Sequence, residues 1–489
     1  MAFNFSKSNL PKHLFINGEY TPSTNSKKLE VFNPKDGSLV ANDVDLAGEQ
    51  DVDLAVASAE KAFPAWKKVS PLERRGIMMK FADLVDANAL ALAELTRITL
   101  GAPYNSFGKF ETGLASEAFR FNAGWIDKFA GQSFPQDDGF LKIVRNEPLG
   151  VTAGIVPWNG PLGNMGLKAA PALATGNCFI LKSSEKTPFA ALALGPLIKE
   201  AGFPPGVFQI LSGDGSTGAL LSSHMRVRKV SFTGSITTGK RIQEAAAKSN
   251  LKRVTLELGG KSPAVVFDDC NLENAVTWCV NALAAHTGQV CFAATRVYVQ
   301  EGIYDKFVEG YKKGLEEKRL AIGDPDKDET IMGPLIDQMQ FDRVTGFIER
   351  GKSEKQGNVI FGGSRVGDKG FYVEPTVFAD VAPTAEIITE EIFGPVACIN
   401  SFRTEEDVMK LCNDTNFGLM AGVFTQDINK ALRVASDFDS GMVGINCVSM
   451  ITMNTPFGGS KESGTGRECG EAALKAFTDT KTIMINMTY

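Results

Sequence analysis

The chain has 489 residues, room for roughly three domains at about 150 residues each, and 43% apolar against 22% charged residues suits large buried cores. Its 51 basic and 57 acidic residues give a net charge of −6 without a basic cluster, which argues against a nucleic-acid footprint. The three histidines (His13, His224, His286) stand far apart, so no metal site built on histidine is expected.

The N-terminal stretch has no apolar h-region and no arginine before Arg74, so neither a secretory signal nor an Arg-rich transit peptide is expected. The C-terminal Met-Thr-Tyr is no peroxisomal or prenylation signal. A cytoplasmic location follows as the expectation. Eight scattered cysteines without a C-x-x-C read as reduced thiols. Three uncharged windows (148–167, 274–295 and 440–460) are each broken by Gly, Pro, Asn, Ser or Thr. They read as buried chain lining a pocket, not as membrane spans.

From about residue 50 to 130 apolar residues recur at three- and four-residue spacing, which predicts helices. Residues 150–260 then alternate short apolar runs with helical stretches. Strands are expected at Val151–Val156, Cys178–Leu181, Val207–Leu211, Lys229–Phe232 and Val254–Leu256, with a helix at Phe189–Glu200. A second block from about 264 to 446 carries five more runs (VVF, RVYV, VACIN, AGVFT, MVGIN), with a helix after each of the first four. Repeated strand–helix–strand order implies two doubly wound parallel sheets, an α/β chain. The segments 129–147 and 475–489 fit neither block and alternate like exposed strands. Two such edges suggest a small sheet completed by another subunit; a hairpin packed on its own domain is the alternative.

Two glycine-rich turns resemble phosphate-binding loops. Gly213-Asp-Gly215-Ser-Thr-Gly218 matches G-x-G-x-x-G after a strand, but residues 219–243 hold no acid to take the ribose hydroxyls. Gly234-Ser-Ile-Thr-Thr-Gly239-Lys240 matches a P-loop until Arg241, where magnesium would need Ser or Thr. An NTPase is thereby disfavoured. A Gly-rich turn opening a helix still aims backbone N–H groups at an anion, so Gly234 and Ser235 are the expected pyrophosphate seat, or else a structural turn.

Three further residues look like chemistry. Cys291 lies in an uncharged, small-residue segment between a helix and a strand, and a lone cysteine there is either a buried hydrophobe or a nucleophile. Glu257 ends an apolar strand, either paired with a cation such as Lys261 or kept as a proton acceptor. Asn159 sets an amide donor in the Pro-fixed turn Val156-Pro157-Trp158-Asn159-Gly160-Pro161 at a strand end.

Together these residues resemble the aldehyde dehydrogenase superfamily. The matching stretches are PWN at 157–159, KSSE at 182–185, FTGS at 232–235, ELGGKSP at 257–263, GQVC at 288–291, EEIFGPV at 390–396 and PFGGSKESGTGRE at 456–468, in the family's order. The resemblance implies an aldehyde-dehydrogenase-like α/β fold with two Rossmann-like domains and a small β oligomerisation element. A cofactor domain would comprise 1–128 and 148–258, a catalytic domain 259–459, and oligomerisation strands 129–147 and 475–489. It implies NAD-linked oxidation of an aldehyde to a carboxylic acid by a homodimer or homotetramer.

Under that resemblance Cys291 attacks the aldehyde, Asn159 and the Cys291 N–H hold the oxyanion, and Glu257 activates the hydrolytic water. Lys168 and Glu468 match positions that relay protons, with a plain buried ion pair as the alternative. Pro157, Trp158, Lys182, Glu185, Gly234, Ser235, Glu391 and Phe393 match cofactor contacts, and Glu185 on the ribose favours NAD over NADP. Gly160, Met165, Leu167, Val290, Phe292, Ser449, Ile451 and Phe457 align with the substrate pocket. Gly160 and Leu167 stand where relatives acting on small aldehydes carry rings, which implies a wide, apolar tunnel for bulky, aromatic or medium-chain aldehydes. His286 stands where relatives often have Asn. An acylating enzyme that passes its thioester to coenzyme A is disfavoured, because relatives of that kind lack the ELGG glutamate. A non-catalytic relative is disfavoured because Cys291, Glu257 and Asn159 are all present.

Overall fold

In the computed structural model, which describes residues 3–488, the short apolar runs become two sheets. Strands Val151–Ile155, Cys178–Ser183, Phe208–Ser212, Lys229–Thr233 and Arg253–Glu257 run parallel in the first. From the central strand Val151–Ile155 the chain steps outward through 178–183 and 208–212, then crosses to 229–233 and 253–257 on the other side. The crevice between Val151–Ile155 and Lys229–Thr233 is therefore a topological switch point, where open α/β sheets bind ligands at their C-terminal ends. Strands Leu14–Ile16 and Glu19–Thr21 extend one edge of this eight-stranded sheet, and Gly464–Thr465 returns from far along the chain to pair with its other edge.

The second sheet has seven strands, in the order Asn358–Phe361, Thr376–Ala379, Val396–Phe402, Ala294–Gln300, Ser262–Val266, Met420–Phe424, Met442–Ile445. All pair parallel except the first, which is antiparallel. Helices cover both, so most central strands are buried on both faces and read as continuous apolar runs. The two outlying segments pair with each other inside one chain: Thr478–Asn486 runs antiparallel to Phe140–Pro148, with Gln132–Phe134 on the far side. The three strands of the small sheet thus come from one chain. The outer edge of Thr478–Asn486 stays free within the chain, and Met484, Ile485 and Met487 on this segment are exposed. Tyr489, the end of the expected segment, lies outside the described residues. Among the described residues no helix is long and apolar enough to cross a membrane.

Several expected elements differ. The helix expected at Phe189–Glu200 is two pieces, Phe189–Leu192 and Gly195–Ala201. Pro196 has no N–H to give and its ring collides with the carbonyl four residues back, at Leu192. Strands at 358–361 and 376–379, and the pair Lys28–Phe32 with Leu39–Asp45, went unforeseen. The last pair holds polar residues among its apolar ones and shifts register twice, which blurs the alternation.

Candidate active site

The motif residues converge because each ends a strand or opens a helix. Pro157, Trp158 and Asn159 leave the C-terminal end of Val151–Ile155, and Gly234 and Ser235 leave the end of Lys229–Thr233. They flank the switch point. Glu257 is the last residue of its strand, and Cys291 comes from the opposite sheet, in the turn before Ala294–Gln300. Asn159, Glu257 and Cys291 all line one cavity of about 660 Å³.

The turn carrying Cys291 is held in an unusual conformation. His286, Thr287 and Gly288 have φ of 48°, 55° and 71°, and a Cβ on Gly288 would sit 2.4 Å from the Gly394 backbone. Gln289, buried and absent from the expected site, secures the turn. Its Oε1 accepts from Ile336 N at 3.0 Å, and its Nε2 donates to His286 O at 3.2 Å. Asn159 Nδ2 donates to the Gln289 carbonyl at 2.9 Å, so the two catalytic loops are tied across the cavity.

Burial pushes the Cys291 thiol well above its ordinary value, and the charges of Glu391 and Glu257 add to this. The resting group is a thiol that needs a base. Glu257 is not paired with Lys261, which donates to Ile387 O at 2.8 Å. Both Glu257 carboxylate oxygens are buried without a partner, and burial followed by the Glu468 charge raises its pKa well above the carboxylate range. A carboxyl group so placed holds a proton more readily than a solvated one. Lys168, fully buried, pairs with Glu468 and donates to Thr233 Oγ1 at 2.7 Å.

On the crevice side, Ser235 caps the thirteen-residue helix Ile236–Lys248, its Oγ accepting from Thr238 N at 3.3 Å. Gly234, Ser235, Ile236 and Thr237 line the cavity at that helix N-terminus. Glu391 accepts from Gly260 N at 3.1 Å, and burial pushes its pKa up to about 7. A Cβ at Gly259 would stand 2.1 Å from Glu391 Oε2, so a side chain there would push the Glu391 carboxylate aside. Phe393, at φ 59°, meets Trp158 edge-on with ring centroids 5.3 Å apart. Lys182 and Glu185 lie outside this cavity, at the end of the next strand, with Nζ and Oε2 3.6 Å apart. The Gly213 turn is structural: Asp214 caps Gly215–Ser223, and Gly213 is pressed against Thr217.

The substrate wall differs from expectation at two residues. Met165 is fully buried in the core, and Asn164 faces the cavity instead. The helix Pro161–Ala174 presents one face, and Gly160, Gly163, Asn164 and Leu167 follow its three- and four-residue spacing whereas Met165 does not. Ser449 is not on the wall either. Its Oγ donates to Phe292 O at 2.8 Å and its N donates to Met420 Sδ at 3.1 Å, fixing the loop from behind. Val290, Phe292, Ile451 and Phe457 do line the cavity.

A second helical face, unforeseen, completes the wall: Phe107, Phe110, Glu111 and Leu114. Phe107 stacks on buried His286 at 4.1 Å and 12°, so the departure at position 286 braces a wall residue. Burial alone holds His286 neutral, with its pKa pushed down to about 3. Glu111 Oε1 accepts from Leu162 N at 2.5 Å and Gly163 N at 3.2 Å. The wall is therefore less uniformly apolar than the aligned positions implied, and Arg343 joins it at the Glu391 end.

With this geometry in place, comparison with known proteins is consistent along the whole chain. The profile of the aldehyde dehydrogenase family matches residues 20–483. An aldehyde dehydrogenase of Agaricus bisporus is 44% identical over 479 residues, covering 97% of this chain and 95% of that one. An indole-3-acetaldehyde dehydrogenase of P. syringae, solved with NAD+ and IAA, superposes with a TM-score of 0.95 at 35% identity, over 99% of this chain and 100% of that one. An NADP-dependent enzyme of E. coli superposes with a TM-score of 0.94 at 36% identity, over 98% of each chain. The chain belongs to the aldehyde dehydrogenase family. It is an NAD(P)-dependent enzyme that oxidises aldehydes to carboxylic acids.

Proposed function

We propose that the oxidation runs through a thiohemiacetal and a thioester on Cys291, with NAD as the preferred acceptor and a bulky, aromatic or medium-chain aldehyde as substrate. The observation that carries this reading is the placement of Cys291, Glu257 and Asn159 on one cavity at the switch point. Burial leaves Cys291 protonated at rest and raises the proton affinity of the Glu257 carboxylate, which assists loss of the thiol proton without being required for it. Asn has two amide N–H donors. One is spent on Gln289 O, and the other, with the Cys291 N–H, serves the oxyanion; one such donor is typically worth about 10²–10³ in rate. Glu257 then deprotonates the water that hydrolyses the thioester, and the Lys168–Glu468 pair takes part in relaying that proton.

The residues present fit a nicotinamide dinucleotide. The Gly259 cradle, the open N-terminus of Ile236–Lys248 and the switch-point crevice together admit an extended anionic ligand. Gly234 and Ser235 would hold the pyrophosphate, Lys182 and Glu185 the adenine ribose, and Glu391 the nicotinamide ribose, with Pro157, Trp158 and Phe393 packing alongside. Bound NAD supplies the two-electron acceptor that turns thiohemiacetal into thioester. The Glu185 carboxylate would repel a ribose phosphate by about 4 kcal/mol at contact, taking an effective dielectric near 20. Buried Lys182 beside it offsets part of this.

Gly160 and Gly163 leave one wall bare, and the opposite wall offers Phe292 and Phe457, edge-on at 5.6 Å. Each methylene buried there contributes about 0.8 kcal/mol. We therefore expect kcat/KM to rise from acetaldehyde to hexanal and benzaldehyde; a clear preference for acetaldehyde would refute the wide tunnel. Gly160 has an extended φ of −164°, so Gly160→Phe is tolerated by the backbone and need only displace the Asn164 amide. It should penalise benzaldehyde far more than acetaldehyde.

The reading also divides the chain into a cofactor domain (1–128 and 148–258), a catalytic domain (259–459) and the outlying strands, acting in the cytoplasm as a homodimer or homotetramer. The free edge of Thr478–Asn486 supports assembly, since an unpaired strand of nine residues is a template for a second chain. Deleting the last dozen residues should give smaller species or aggregates by light scattering. An unchanged mass would remove the tail from assembly.

A further inference from the structure

A polar stripe crosses the buried strand pair Lys229–Thr233 and Arg253–Glu257. Side chains alternate between the faces of a strand, so Lys229, Ser231 and Thr233 share one face and Val230 and Phe232 the other. The parallel register sets Ser231 beside Thr255 and Thr233 beside Glu257, so the stripe ends at the proposed base. Hydrogen bonds connect Lys229 to Glu468 across it. Lys229 Nζ donates to Thr255 Oγ1 at 2.9 Å, Thr255 Oγ1 donates to Ser231 Oγ at 3.2 Å, and Ser231 Oγ donates to Glu468 Oε1 at 3.5 Å.

Lys229 is fully buried, and among the described residues it forms no ion pair with a carboxylate. Its ammonium lies 4.6 Å from the centroid of the Phe477 ring. Burying a lysine without an ionic partner is costly, and a methionine would fill the same space more cheaply.

We propose that Lys229 is the terminal proton acceptor of deacylation, exchanging a proton with Glu468 through the hydroxyls of Ser231 and Thr255. The proposal rests on Glu257 being the hydrolytic base. Water adds its oxygen to the acyl carbon and gives its proton to Glu257, the C–S bond to Cys291 breaks, and the proton passes to Glu468. Glu468 then gives a proton to Ser231, Ser231 gives its own to Thr255, and Thr255 gives its own to the neutral Lys229 amine, which becomes ammonium. No redox partner is needed. Each hydroxyl both donates and accepts, so the chain conducts in either direction. The charged groups facing Lys229 are Lys168, Glu468 and Arg253; burial, Lys168 and Arg253 lower its pKa, Glu468 opposes them, and the balance falls at about 7. Arg253, its register partner, is half-exposed and donates to Thr478 O at 3.0 Å, which places this end of the stripe nearest solvent.

The test uses the full-length enzyme with NAD and benzaldehyde, following formation and decay of the acyl-enzyme by rapid quench from neutral to alkaline pH. Thr255→Val keeps the shape and cuts the wire; Thr255→Ser keeps the hydroxyl; Lys229→Met removes the acceptor. Thr255→Val and Lys229→Met should slow decay about tenfold, less than the roughly 10²–10⁴ of losing a general base outright. Both should alter its pH dependence, and Thr255→Ser should restore wild-type behaviour. Decay of Thr255→Val at the wild-type rate with the wild-type pH profile would overturn the wire, and so would equal slowing in Thr255→Ser. The threonine pair decides the matter even if Lys229→Met fails to fold. Absence of any acyl-enzyme even in Glu257→Gln, where hydrolysis is blocked, would instead refute the thioester reading, and the wire with it.

Discussion

Purified Cys291→Ala should bind NAD with near-wild-type affinity and turn over no aldehyde, a fall of about 10⁴-fold or more in kcat. The expectation follows from the position of the thiol. Eight cysteines are free, but six of them lie in the core, in helices or outside the cavity, and Cys447 does not line it either. Cys291 alone among them faces Asn159 and Glu257 across open space. The substitution removes one sulfur from a turn held by Gln289 and by the left-handed run 286–288, so the fold and the cofactor crevice should survive. Kinetics with NAD and benzaldehyde, beside NAD binding by fluorescence, check it. Substantial turnover would move the nucleophile elsewhere.

Glu257→Gln should separate the two halves of the reaction. Gln is close in shape to Glu and keeps the contact with Gly458, where a Cβ would stand 2.6 Å from Oε1. It cannot take a proton from water. Stopped-flow should therefore show close to one NADH per site, followed by a steady rate lower by about 10²–10⁴, the usual weight of a general base. If neither burst nor turnover appears, the role of Glu257 lies earlier, in activating the thiol. Normal turnover would remove it from the mechanism.

What the sequence disclosed of the site follows the physics of strand ends. Asn159, Ser235 and Glu257 each stand where a strand stops, with glycine or proline close by, and Cys291 lies in the turn that opens Ala294–Gln300. The five parallel strands of the first sheet were legible for the same reason, each within a residue or two of its observed bounds. Residues on helices were harder. Asn164 and Met165 differ by one position and by about 100° around the helix, and only the face running through 160, 163, 164 and 167 resolves which one meets substrate.

The same period at 107, 110, 111 and 114 marks a wall that the motifs do not name, because Glu111 interrupts its apolar character. Lys229 was hidden differently. Its strand alternates polar Lys229, Ser231 and Thr233 with Val230 and Phe232, and only the fold shows that the polar side meets the Glu468 network. The pairing of Thr478–Asn486 with Phe140–Pro148 joins segments more than 300 residues apart, and no local pattern specifies such a partner.

The central claim is that the acyl group is carried on Cys291. Glu257→Gln, quenched in acid during turnover of benzaldehyde and digested, should show the Cys291 peptide heavier by one benzoyl group and no other cysteine modified. An acyl group on a different peptide, or none at all while NADH is being formed, would contradict it.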